Sequence, residues 1–161
     1  MRAPARQASV PGAAAAPWAA VAHAVLAGVI AALHVGKAAI ALPQLSAEFQ
    51  RPPTALGWVM SAFPLVGMFG GIAAGVLVQG QGDRRLLILG MLVLAAASTA
   101  GAWAPDYAWL LATRLLEGLG FLLVVVAAPA VLHRLAPPRN RAVVSGIWST
   151  FMGAGMALSL A

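Results

Sequence analysis

Five apolar stretches, each long enough to cross a bilayer as a helix and separated only by short breaks, constrain this chain more than any other feature. A hydrocarbon core of about 30 Å needs about 20 helical residues. The stretches run from Trp18 to Leu42, Ala55 to Val78, Leu86 to Trp103, Tyr107 to Leu132 and Arg141 to Ala161. Between them stand Pro43, then Pro52 and Pro53 ahead of the candidate cap Thr54, the Gly80 to Gly82 turn, Pro105 with Asp106, and Pro137 with Pro138. Proline and glycine in these places end helices. An open sheet cannot satisfy its backbone in lipid, so the pattern predicts an all-α, polytopic transmembrane helix bundle of about five helices.

Composition decides the solvent. Of 161 residues, 61% are hydrophobic and 9% charged, against about 45–50% and about 25% in soluble domains. A globule this small cannot bury that excess, so the surroundings are lipid. Seventeen glycines agree with this, since helices in lipid use Gly to approach one another closely. Gly67, Gly71 and Gly75, spaced by four in the second stretch, are expected to pack in that way, and Pro64 to bend the same helix.

Residues 1–17 contain Arg2, Arg6, Pro4, Pro11, Pro17 and an alanine run, with too few large apolar groups to pack, and read as a disordered cytoplasmic tail. A cleaved signal peptide is the alternative. The apolar run that follows is longer than the 7–15 residues of a signal core, which favours a retained helix. An odd number of spans ending on Ala161 without a polar tail reads as a truncated chain.

The formal charge of +6 raises two partners, nucleic acid and an anionic membrane surface. Position separates them. With the N-terminus inside, Arg2, Arg6, Arg84, Arg85, Arg134, Arg139 and Arg141 all fall on the cytoplasmic side and Arg51 outside, the asymmetry expected of topological determinants. No nucleic-acid role is expected. The chain is placed in a plasma membrane, a bacterial inner membrane in the simplest setting, with Trp18, Trp58, Trp103 and Trp109 near the two interfaces.

The chain has no cysteine, which excludes disulfides and thiolate metal sites. It also shows no acid pair, no metal-ligand cluster and no phosphate-cradling loop. Neither an enzyme, a cofactor, a metal site nor an ATP-driven pump is expected.

Polar residues inside the spans carry the functional reading. Arg114 and Glu117 lie in the fourth stretch, three apart and therefore on one face. Each costs about 2.5 to 3.5 kcal/mol to insert at a helix centre, so both should face protein or a wet cavity. Mutual neutralisation and a role in transport both satisfy that requirement. His34 and Lys37 share a face of the first stretch in the same way. Lys37 lies roughly 7 to 8 Å from the outer end and the Arg114–Glu117 pair roughly 10 to 15 Å, which are compatible heights. Snorkelling of Lys37 to the interface and a packing role for His34 are the alternatives.

Motifs now add a family. The turn after the second stretch reads Gly75-Val76-Leu77-Val78-Gln79-Gly80-Gln81-Gly82-Asp83-Arg84-Arg85-Leu86-Leu87. It resembles the loop signature of the major facilitator superfamily, Gly-x-Leu-Ala-Asp-Arg-x-Gly-Arg-Arg/Lys-x-x-Leu. Gly75, Leu77, Gly82, Arg84 or Arg85, and Leu87 match, whereas Gln79 takes the acidic position, Gly80 the next basic one, and Asp83 stands where the family has Arg. The fourth stretch, with Arg114, Glu117, Gly118 and Gly120, is similar to that family's Arg-x-x-x-Gly-x-Gly motif. The fifth resembles its glycine-rich segment but lacks the Gly-Pro pair of antiporters.

That resemblance implies the partial N-terminal half of a major facilitator fold. It also implies alternating access and a gating loop built from Gly75, Gln79, Gly82, Asp83, Arg84 and Arg85. An ordinary basic turn is the plainer reading of the same loop. In the resembled fold the first and fourth helices line a central cavity, which would gather Lys37, Arg114, Glu117 and His34 around one space of net positive charge. A small organic or inorganic anion is then the expected solute, with protons or a counter-substrate as the coupling species and the remaining transporter helices as partners. The short loops and the stretch from Gly146 to Gly155 are also similar to the cyanate and nitrate-related permeases, a similarity that drug-exporter branches share. The competing class is a non-transporting membrane protein, either a gene remnant or a helical partner subunit. Three charges inside the membrane argue for a solute pathway.

Overall fold

The computed structural model describes residues 17–161, apart from the side chains at positions 53, 78, 79 and 81. The expected tail therefore lies outside the described residues up to position 16, as does the side chain of Gln79. Six α-helices follow one another: α1 (Trp18–Phe49), α2 (Pro53–Gln81), α3 (Asp83–Ala102), α4 (Tyr107–Leu135), α5 (Arg141–Ser149) and α6 (Phe151–Leu160), with a 3-10 turn at Pro138–Asn140. Five helical spans among them are long and apolar enough to cross a membrane, the last running Pro138–Leu160 through both α5 and α6.

The interruption of that last span is slight. Thr150 donates both its N–H (3.2 Å) and its Oγ1–H (2.8 Å) to the Ile147 carbonyl, which tightens one turn before the ladder resumes at Ala154. Pro43 behaves differently from expectation: α1 does not stop at Leu42 but continues to Phe49, ending on Gln50 in a left-handed conformation at φ 47°. Proline removes one hydrogen bond, to the Ala39 carbonyl, yet its fixed φ is helical and the residues beyond it favour helix. Between α2 and α3 the chain turns on Gly82 alone, at φ 90°, a conformation open to glycine and strained for other residues. At the start of α4 the Asp106 side chain caps the Trp109 N–H at 2.8 Å.

Helix α4 sits at the centre, against α1, α2 and α3. Its glycines make this possible. A Cβ on Gly120 would lie 2.8 Å from the Gly90 carbonyl of α3, and one on Gly118 would lie 2.8 Å from the Phe63 carbonyl of α2. Leu94, Val124 and Ala31 fill the space between α3, α4 and α1. By contrast, Gly67, Gly71 and Gly75 have no atom within 4 Å of the place their Cβ would occupy. The close packing expected at these glycines is therefore not made within the described residues. The same helix holds Phe69 and Ile72 outward, 76% and 88% exposed, which is tolerable only against lipid or further protein.

Connections alternate ends. At one end Tyr107 donates its hydroxyl to the Ala55 carbonyl, and the Arg51 guanidinium stands 5.6 Å over the Tyr107 ring. The other end gathers Arg84, Arg85, Arg134, Arg139 and Arg141.

Candidate functional site

Glu117, fully buried in α4, is the centre of the polar cluster. Its Oε1 lies 2.8 Å from Lys37 Nζ of α1, and its Oε2 lies 2.5 Å from Arg114 Nη2, one turn earlier on its own helix. One carboxylate thus answers two cations. A buried charge without partners costs several kcal/mol, and a second helix supplies the second partner here. Lys37 also donates to Ser98 Oγ of α3 at 2.6 Å, so the cluster ties three helices together. Arg114 Nη1 reaches the His34 carbonyl at 3.4 Å.

The structure brings Lys37, Arg114 and Glu117 together, as a pair on α4 met by a cation from α1. Among the described hydrogen bonds, His34 meets the cluster through its backbone carbonyl. Its ring Nδ1–H donates to the Ile30 carbonyl at 2.9 Å, a bond within its own helix. Ser98 was missed by the sequence reading, because a lone serine in an apolar helix carries no signal of which neighbour it meets.

The formal charges sum to +1, from Lys37 and Arg114 against Glu117. A cavity of about 330 Å³ opens beside them, lined by Lys37, Ala38, Val59, Ser98, Leu110 and Arg114 among others. The Lys37 side chain is 36% exposed, whereas that of Glu117 is 0% exposed. The ammonium meets the cavity while its counter-ion stays behind it.

The loop residues form a separate site. Gly75 and Gln79 belong to the last turns of α2, not to a loop, and Asp83 opens α3. Asp83 is buried, and its Oδ2 lies 3.1 Å from Arg134 Nε in the last turn of α4. Its Oδ1 accepts from the Arg84 N–H at 3.0 Å. Arg84 and Arg85 are exposed. Fifteen residues of α3 separate Asp83 from Ser98, roughly 22 Å by helical rise, so the residues of the α2–α3 turn and the charge cluster stand at opposite ends of that helix.

A family model described as Major Facilitator Superfamily matches residues 24–161. Among curated proteins, the galactose-proton symporter of Escherichia coli (strain K12) is 29% identical over 133 residues, 83% of this chain and 29% of its own length. The puromycin resistance protein pur8 of Streptomyces alboniger is 32% identical over 75% of this chain and 24% of its own. The multidrug efflux pump LfrA of Mycolicibacterium smegmatis is 29% identical over 88% of this chain and 28% of its own. The chain thus spans less than a third of each of these relatives.

Proposed function

The chain belongs to the Major Facilitator Superfamily, and on that premise we propose that it contributes the first five spans of a secondary transporter for a small anion. The carrying observation is the cluster of Lys37, Arg114 and Glu117, whose net charge of +1 borders a cavity of about 330 Å³. That volume lies at the lower end of ligand pockets, about 300–1,000 Å³, and suits a small solute. A focused positive charge in a low-dielectric wall draws anions more strongly than the same charge in water.

In this reading the end bearing Arg84, Arg85, Arg134, Arg139 and Arg141 faces the cytoplasm of a bacterial cell. The loop from Gly75 to Arg85, with Asp83 held to Arg134, serves the cytoplasmic gate. Protons are the coupling ion that the name of the galactose-proton symporter suggests. The names of the relatives range over a sugar, puromycin and drugs, so family membership leaves the solute to be argued from the cluster. The bare face of α2, with Phe69, Ile72, Gly71 and Gly75, supports assembly with further helices, those of the same transporter or of a second subunit.

Labelled nitrate, cyanate and acetate, supplied to proteoliposomes carrying the complete transporter, test the proposal. Lys37→Ala should reduce anion uptake while leaving membrane insertion intact. Unchanged uptake kinetics would sink the assignment.

A further inference from the structure

Ser98 differs from the other helical hydroxyls whose bonds are seen. Thr99, Thr113, Ser149, Thr150 and Ser159 each donate to a carbonyl three or four residues earlier on their own helix, at 2.7–2.9 Å. Such bonds are the usual resting place of Ser and Thr protons in apolar helices. Ser98 is held instead by Lys37 Nζ at 2.6 Å. An ammonium has only protons to give. Ser98 Oγ is therefore the acceptor of that bond, and its own O–H is left without a partner among the described hydrogen bonds.

Lys37 has a donor to spare as well. Two of the three protons of an ammonium go to Ser98 Oγ and Glu117 Oε1. Both Lys37 and Ser98 line the cavity, whereas Glu117 is fully buried with its two oxygens on Lys37 and Arg114. The polar wall thus offers side-chain protons and no free carboxylate oxygen. Those donors come from neighbouring atoms, so a ligand with two acceptors side by side can take one from each.

We propose that Ser98 and Lys37 form a subsite for a planar oxyanion, a carboxylate or a nitrate-like ion, whose adjacent oxygens take the Ser98 O–H and the remaining Lys37 N–H. The proposal rests on the anion reading above and deepens it. It makes Ser98, on α3, a specificity-determining residue. Charge alone would attract any monoanion, and the second donor selects those with two oxygens in one plane.

The experiment uses the purified complete transporter in lipid nanodiscs, with isotope-labelled acetate, isotope-labelled nitrate and chloride titrated separately and binding read by NMR line broadening. Acetate or nitrate should bind more tightly than chloride, and which of the two is tighter identifies the class. Ser98→Ala should weaken the oxyanion by about tenfold or more, the usual consequence of losing a hydrogen bond to a charged group, while chloride changes less than twofold. Ser98→Thr, which keeps the hydroxyl, should restore oxyanion binding. Size-exclusion profiles and melting curves confirm that each variant is folded. Equal weakening of oxyanion and chloride by Ser98→Ala would overturn the proposal, leaving Ser98 to position Lys37 only. Unchanged oxyanion binding in Ser98→Ala would overturn it while the anion reading stands. Failure of the unmutated transporter to bind any of the three ions would overturn both.

Discussion

Replacing Glu117 by Gln removes one negative charge from the least accessible point of the cluster and keeps the shape of the side chain. Two cations then lose their counter-ion, and their surroundings differ. The Arg114 side chain is 8% exposed and that of Lys37 36%. Lys37 can turn into the cavity and be solvated there, so its share is small, in the range of a partly exposed pair at about 1 kcal/mol or less. Arg114 borders the same cavity but keeps only 8% of its side chain exposed, so most of its charge stays desolvated. Breaking a buried ion pair from one side costs about 3–5 kcal/mol, and the Gln amide oxygen can return part of this by accepting one hydrogen bond. A net loss of about 3 kcal/mol is expected for Glu117→Gln and about 1 kcal/mol for Lys37→Met, which leaves Glu117 paired with Arg114. In a chain of this size 1 kcal/mol corresponds to about 2–4 °C in Tm on the scaling of globular proteins. Melting of the nanodisc-embedded chain should therefore fall by about 6–12 °C in the first variant and by less than about 4 °C in the second. A larger drop for Lys37→Met than for Glu117→Gln would refute the reasoning, because burial would then not decide which charge matters most.

Other expectations follow from the same structure. Gly120→Ala places a Cβ 2.8 Å from two backbone atoms, the Gly90 carbonyl and the Leu94 nitrogen, and should cost about 1–3 kcal/mol of overpacking; Gly146→Ala, with nothing within 4 Å, should stay within about 0.5 kcal/mol, both read from chemical denaturation in the same lipid. Because the chain lacks cysteine, single replacements at the exposed Arg85 and Thr54 can be labelled with an impermeant thiol reagent. Thr54→Cys should react in intact cells and Arg85→Cys only after permeabilisation, and the reverse pattern would invert the assigned orientation.

Much of the charge cluster was legible before any coordinates. Arg114 and Glu117 had to share a face because they are three apart on a helix, and Lys37 had either to find a partner or to snorkel to the interface because an ammonium in hydrocarbon is costly. Their heights, counted in residues from the breaks, already made a meeting possible. Ser98 was not legible, since nothing in an Ala-rich segment tells which hydroxyl faces another helix. Arg134 as the partner of Asp83 was hidden for the same reason: the two residues are 51 positions apart, and only the antiparallel return of α4 beside α3 brings them to 3.1 Å. Pro43 misled, because a proline interrupts one hydrogen bond and not the φ of a helix. The glycines divided in a way that spacing could not foresee: a Cβ on Gly118 or Gly120 would fall within 3 Å of a neighbouring helix's backbone, while Gly67, Gly71 and Gly75 face open space.

The sequence by itself determined what is set by local chemistry and solvent. Runs of apolar residues about twenty long, punctuated by Pro and Gly, leave the backbone no option in lipid but the helix. Tertiary structure decided which side chains meet. A helix shows many faces, and only the packing of α4 against α1, α2 and α3, permitted at the atomic scale by Gly118 and Gly120, selects the one that carries Glu117 to Lys37 and Lys37 to Ser98. Periodicity fixes the separation of residues along one helix, whereas the rotation of one helix against another depends on contacts between segments far apart in the chain.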